Sequence, residues 1–252
     1  DFGLGDVSGI DVPGEKKGII PDPEWKKKKI KTVWFRGDTI LLSIGQGFTL
    51  VTPIQLAKAY TFLANKGWAY EPHVISKIED LQTGKIEVVT TKKTTLNDYP
   101  ESYYDIINDA LIATVDQNNG TTRIMRNPYV KVAAKSGSAQ NPHSKLTHAW
   151  VAGYFPADKD PEIVFVCLLE GAGGGGVMAG GMAKRFLDKY LELEKGIVIN
   201  KKAPHTESKT TNSTIQTSGN QENESSREGI GEERENEERQ TAETNTVEGQ
   251  QN

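Results

Sequence analysis

The sequence predicts an α+β protein in which an antiparallel sheet shares a core with flanking helices. Three strand-like runs, 130–139, 147–155 and 162–169, follow one another closely in the second half of the chain. The links between them, within QNPHSK and PADKDP, are short, which favours antiparallel neighbours. Amphipathic helical patterns stand before and after the runs, where they can cover the sheet.

Residues 1–39 are rich in Gly, Pro and Lys without sustained periodicity, so loops and short elements are expected there. The EWKKKKIK stretch is read as a solvated face, because the body of the chain is nearly neutral. The clearest helix follows. Thr52 can cap it, Pro53 suits its first turn, and Gln55 completes a capping box three residues after Thr52. Leu56, Tyr60 and Leu63 mark its apolar face, and Gly67 ends it.

A hairpin is expected next, HVISKIEDL and KIEVV joined through Gln82, Thr83 and Gly84. A second helix starts near Ser102, presents Ile106, Ile107, Leu111 and Val115, and stops at Asn118–Gly120. After the three strands and a GAGGGG segment, a last helix spans about 177–193. Met178, Met182, Phe186, Leu187, Tyr190 and Leu191 lie on or near its apolar face.

Residues 201–252 carry 6 Lys/Arg against 11 Asp/Glu, a net of −5, so the chain's overall −4 leaves +1 for residues 1–200. Residues 196–252 hold no aromatic side chain and few large apolar ones, too little to offset the entropy of ordering them. They are expected to form a disordered acidic tail, and residues 1–195 the folded part.

The single cysteine, Cys167 in EIVFVCLLE, reads as a small hydrophobe in a buried strand. Four scattered histidines and no second cysteine leave no ligand cluster, so neither metal nor cofactor is expected. The longest apolar run, 163–169, is far short of the ~20 residues that cross a bilayer. The chain opens on Asp1 and enters structured-looking sequence at once, so it reads as a piece of a longer protein. The lack of a targeting signal therefore says nothing about compartment.

The chemistry centres on VKVAAKSGSAQ, where a small apolar strand ends in Lys135, Ser136, Gly137 and Ser138. A lysine at a strand end is most often merely solvated. Here two hydroxyls adjoin it, and Gly137 removes a side chain where another backbone could approach. The set suits an extended peptide with a carboxylate: lysine for charge, hydroxyls for hydrogen bonds, backbone for pairing. Pleating separates Lys135 and Gly137 from Ser136 and Ser138 by face, so all four serve one ligand only at a sheet border. His148 is read as a strand residue near the site, GAGGGG as a loop at its edge, and Trp150 and Tyr154 as core or groove lining. A stacking platform for nucleic acid is not expected.

AAKSGSAQ, HAWVAGYFP and VCLLEGAGGGG, preceded by LSIGQGFTLVTPIQLAKAYTFLANKG, together resemble the carboxyl-terminal part of the class B penicillin-binding protein transpeptidase domain, most closely its elongation-type branch, penicillin-binding protein 2. That family carries Ser-x-x-Lys, a Ser-Asp-Asn type triplet and Lys-Thr-Gly. Lys135-Ser136-Gly137 matches the third, with serine keeping the hydroxyl. The resemblance implies a β-lactamase-like fold over residues 1–195. It implies that Lys135, Ser136 and Ser138 bind the terminal carboxylate of a stem peptide or a β-lactam, and that the Ser138 N–H is one of two oxyanion donors.

No serine in the chain has a lysine three residues on, and the one Ser-x-Asn, Ser218-Gly219-Asn220, falls in the tail. The expected nucleophile therefore lies outside this chain. A partial transpeptidase domain lacking its upstream half accounts for this better than a degenerate relative, which would lose residues singly. The resemblance implies an intact D,D-transpeptidase anchored in the cell membrane and working outside it, with a glycan-polymerising membrane partner. The alternative is a non-catalytic module of the same fold that holds carboxylate-bearing peptides.

Overall fold

The structure is a computed structural model that describes residues 1–140, 145–197 and 199. Apart from Gly196, Ile197 and Ile199, the tail expected to be disordered lies outside the described residues. Five α-helices and seven strands order as α1 (Pro23–Lys29), α2 (Arg36–Ser43), α3 (Pro53–Ala64), β1 (Trp68–Tyr70), β2 (Lys77–Glu79), β3 (Ile86–Val88), β4 (Lys93–Thr95), α4 (Glu101–Asp116), β5 (Ala133–Ala139), β6 (His148–Phe155), β7 (Ile163–Leu169) and α5 (Met178–Lys195) among the described residues. The architecture is α+β, as the sequence predicts.

The three late strands form one antiparallel sheet in the order β5-β6-β7. Ala133 stands opposite Tyr154 and Gly137 opposite Trp150, while Val151 faces Cys167 across the other ladder. This register divides the side chains between two cores. Val132, Ala134, Val151 and Phe155 pack with Ala179, Ala183 and Leu187 of α5. Ala133 and Tyr154 pack with Leu111 of α4 and with Tyr60 and Leu63 of α3. The sheet is thus covered by α5 on one face and by α3 and α4 on the other.

The cap of α3 is as expected: Gln55 N–H donates to Thr52 Oγ1 at 3.3 Å, and Thr52 N–H donates to Gln55 Oε1 at 2.9 Å. Gly67, at φ +105°, closes the helix with an N–H bond to the Phe62 carbonyl. The hairpin is present as β2 and β3, with Asp80 accepting the Gln82 and Thr83 amides in its turn. A second small ladder pairs β1 with β4, which the sequence reading did not anticipate.

Helix faces required correction. In α3 the expected Tyr60 and Leu63 do pack on the sheet, but the most buried positions are Gln55, Ala59 and Phe62, because residues 1–17 cover that side: Phe2 meets Phe62 edge-on, and Gln55 Nε2 donates to the Asp6 and Lys17 carbonyls. In α4 Tyr104, Leu111 and Val115 are buried, whereas Ile106 and Ile107 are exposed. In α5 the buried seam is Ala179, Ala183, Leu187 and Leu191, while Met178, Met182 and Phe186 are exposed. Ala179 and Ala183 let the start of α5 lie close to the sheet and Leu187 and Leu191 fill the contact as expected, whereas Met178, Met182 and Phe186 are left outside it.

Lys26 corrects the solvated reading of EWKKKKIK, since it is only 5 % exposed. Its Nζ lies 2.5 Å from Asp38 Oδ2 and over the rings of Phe35 and Phe48. Asp38 also accepts the Phe35 N–H at 2.7 Å, which starts α2, a helix that the sequence reading missed. The Lys26 hydrogen bond, with help from the Phe35 amide, holds the Asp38 carboxyl below its ordinary value. A depressed carboxyl stabilises the fold above the ordinary Asp value near ~4, and that stabilisation is lost as pH falls through the folded-state value. Thermal unfolding between pH 2 and 6 should therefore show a shallower acid limb in Asp38→Asn than in the wild type; superimposable limbs would show that the pair does not contribute.

Candidate functional site

Strand β5 leaves the core as it enters the site. Val132, Ala133 and Ala134 are fully buried, whereas Lys135, Gly137 and Ser138 are exposed. Among the described residues β6 is its single strand partner, so the opposite edge is a border. Carbonyls of residues i and i+2 point to the same side of a strand. On this border each of them meets a side chain: the Thr114 hydroxyl of α4 donates to the Ala134 carbonyl at 2.5 Å, Lys135 Nζ to that of Ser136 at 2.8 Å, and Gln46 Nε2 to that of Ser138 at 3.2 Å. Helix α4 thus seals the start of the edge, and the accessible part is Ser136–Ser138.

The side chains follow the pleat expected from sequence. Ser136 and Ser138 turn toward the glycine-rich segment before α5. Ser136 Oγ donates to Thr121 Oγ1 at 3.0 Å, and Ser138 Oγ accepts the Gly175 N–H at 3.2 Å. Lys135 projects from the other face with no carboxylate paired to it among the described residues. Its Nζ is therefore placed where an anion can reach it. On this geometry the four residues of the KSGS segment can address one extended ligand from both faces of the border.

GAGGGG is built for close packing. A Cβ on Gly175 would run into the carbonyl oxygens of Gly137 and Trp150, and one on Gly176 into that of Thr121. His148 Nδ1 accepts the Gly171 N–H at 3.1 Å and the Thr147 hydroxyl donates to the Gly173 carbonyl, so the ladder itself anchors the loop. His148 is an anchor of this edge loop. Tyr154 is core, its hydroxyl donating to Asn108 Oδ1 and pushed up to about 12 by burial. Cys167 is half-buried rather than fully buried, and burial pushes its thiol up, away from the reactive thiolate. A cavity of about 440 Å3 between α3, α4 and the β6–β7 turn is lined by Lys66, Asp105 and Tyr154, and by no residue of the KSGS segment.

Two contributors escaped the sequence reading, Thr121 and Gln46, whereas Gly175 lies in the GAGGGG segment expected at the edge of the site. Gln46 had the clearest signal, since Gly45 and Gly47 bracket it and both adopt positive φ. Gly45 N–H bonds the Leu42 carbonyl and Gln46 N–H that of Leu41, a Schellman cap that ends α2 and aims the Gln46 side chain at β5.

The family described as the penicillin-binding protein transpeptidase domain matches residues 1–189. The chain belongs to this family. It is 34 % identical over 220 residues to the peptidoglycan D,D-transpeptidase MrdA of Haemophilus influenzae, covering 76 % of this chain and 31 % of that protein. Among solved structures it is similar to Pseudomonas aeruginosa PBP2 in complex with WCK 5153, at TM-score 0.66, 31 % identity, 81 % of this chain and 44 % of the other. A chain from a structure on the coordination of polymerization and crosslinking by a peptidoglycan synthase complex aligns at TM-score 0.63 and 27 % identity, over 80 % of this chain and 33 % of that one. The chain spans about a third of the length of the curated relative it matches. The penicillin-binding protein transpeptidase fold and the PBP2-like character expected from AAKSGSAQ and its companions are therefore those found.

Within this transpeptidase fold, Gly175 can be tested against its neighbour. Gly175→Ala forces backbone apart and should cost about 1–3 kcal/mol, whereas Gly174→Ala meets nothing within 4 Å and should be close to neutral in urea melts. Equal midpoints for the two variants would show that the loop does not pack on β5 as described.

Proposed function

We propose that this chain is the substrate-gripping, carboxyl-terminal part of a peptidoglycan D,D-transpeptidase that cross-links stem peptides by serine acyl transfer. The observation that carries the reading is the border of β5: an unneutralised Lys135 beside Ser136 and Ser138, with outward carbonyls at Ser136 and Ser138. Lys135 and the two hydroxyls bind the terminal carboxylate of a D-Ala-D-Ala peptide, or that of a β-lactam. Gly137 lets the ligand approach, since its missing side chain leaves only the Trp150 Cβ nearby.

In the complete protein a serine of a Ser-x-x-Lys sequence, outside these 252 residues, attacks the carbonyl between the two D-alanines. The Ser138 N–H lies on the same side of the strand as its outward carbonyl and donates to the developing oxyanion. The C–N bond breaks, D-alanine leaves with the proton, and an amine of a neighbouring peptide resolves the acyl-enzyme. Family membership supports this chemistry, as does the similarity to the MrdA transpeptidase. The similarity to a chain of a peptidoglycan synthase complex supports a glycan-polymerising partner; membrane anchoring and work outside the cytoplasm are part of the same proposal. Among the described residues no helix is long and apolar enough to cross a membrane.

The second reading, a carboxylate-binding module without chemistry, is favoured by the absence of Ser-x-x-Lys from this sequence. Fluorescent penicillin separates the two. The 252-residue chain alone should acquire no label that survives denaturation. The complete protein should label, and its Lys135→Ala variant should label about ten- to a hundredfold more slowly, the loss expected for a charge-assisted hydrogen bond. A stable adduct on this chain alone would contradict the missing nucleophile, and an unaffected Lys135→Ala rate would contradict the carboxylate grip.

A further inference from the structure

The Ser138 carbonyl is held by a side-chain amide that comes from 92 residues away. Gln46 is half-buried at the Schellman cap of α2, and its backbone N–H is already committed to the Leu41 carbonyl. Its Nε2 therefore reaches the border while its backbone stays fixed. A glutamine side chain ends in a primary amide, the nearest side-chain equivalent of a peptide N–H.

An extended peptide added to this border pairs residue against residue. In an antiparallel ladder a hydrogen-bonded pair exchanges both bonds, so the residue whose carbonyl meets the Ser138 N–H also offers its own N–H to the Ser138 carbonyl. That carbonyl is the one Gln46 holds. A ligand that completes the ladder must displace the Gln46 amide, and one that lacks an N–H at this point has nothing to put in its place.

We propose that Gln46 is a specificity-determining placeholder: its side-chain amide occupies the Ser138 carbonyl and yields only to a backbone N–H of an incoming peptide. This rests on the peptide-border reading above and adds the group that competes for it. Displacement exchanges one amide donor for another, so correct peptides bind at little loss. Ligands without the N–H leave Gln46 in place and gain no bond.

The test measures binding of two probes to the 252-residue chain by calorimetry or amide-resolved NMR. The probes are diacetyl-L-Lys-D-Ala-D-Ala and its analogue with an ester oxygen replacing the penultimate alanine's N–H. Gln46→Met keeps side-chain length without a donor, and Gln46→Ala serves as a second variant should the first perturb folding. Removing the competitor should tighten the amide probe about two- to tenfold, the range of one net hydrogen bond, and leave the ester unchanged. A structural strap would give the opposite result, with both probes weakened equally, and that outcome or an unchanged amide affinity overturns the placeholder. Lys135→Ala separates the two claims: if it abolishes binding while Gln46 variants do nothing, the border reading stands and the placeholder falls. If the wild-type chain binds neither probe, both fall.

Discussion

The constraint on which the site depends is that β5 has, among the described residues, one ladder rather than two. Its inner edge is committed to β6 over seven paired positions, from Ala133 to Ala139. Its outer edge keeps backbone donors and acceptors that water or another chain must satisfy. The protein divides this edge: the first outward carbonyl goes to Thr114 of α4, and the next two go to Lys135 and Gln46, side chains that a ligand can move. Burial changes at the same point, from the fully covered Ala134 to the exposed Lys135, so the strand is core at its start and surface at its end.

The remaining architecture holds this strand in place. The seam Ala179, Ala183, Leu187 of α5 brings one helix close to the sheet, and Tyr154 with Leu111 and Leu63 fills the other side. The glycine segment before α5 approaches β5 so tightly that Gly175 can donate to the Ser138 hydroxyl. Farther out, the Lys26–Asp38 pair starts α2, and the end of α2 delivers Gln46. A buried ion pair is weak evidence of net stability, but breaking it leaves a charge uncompensated, and here that would loosen the segment that reaches the site.

Much of this was legible in the sequence because it depends on local chemistry. The Thr52-Pro53-Gln55 cap, the hairpin turn at Asp80–Gly84 and the three strands follow from residue types at fixed offsets. Helix faces were less legible. Of the apolar residues expected on α5, Leu187 and Leu191 are buried, yet Met178, Met182 and Phe186 are exposed and Ala179 and Ala183 meet the sheet in their place, and residues 1–17 cover a side of α3 that periodicity alone left outside. The roles of Lys26 and Gln46 were harder to read: Gly45 and Gly47 mark a turn around Gln46, but the partners Asp38 and Ser138 are 12 and 92 residues away and are brought near by the fold.

In the proposed function the border strand links family membership to chemistry, since charge, hydroxyls and open backbone converge on the four residues 135–138. The most direct measurement is a crystal structure of the chain with a D-Ala-D-Ala-terminated peptide. The expected density places the peptide antiparallel to Ser136–Ser138, its carboxylate within hydrogen-bonding distance of Lys135 Nζ and a serine hydroxyl. A peptide bound elsewhere, or one whose carboxylate avoids Lys135, would contradict the role assigned to this edge.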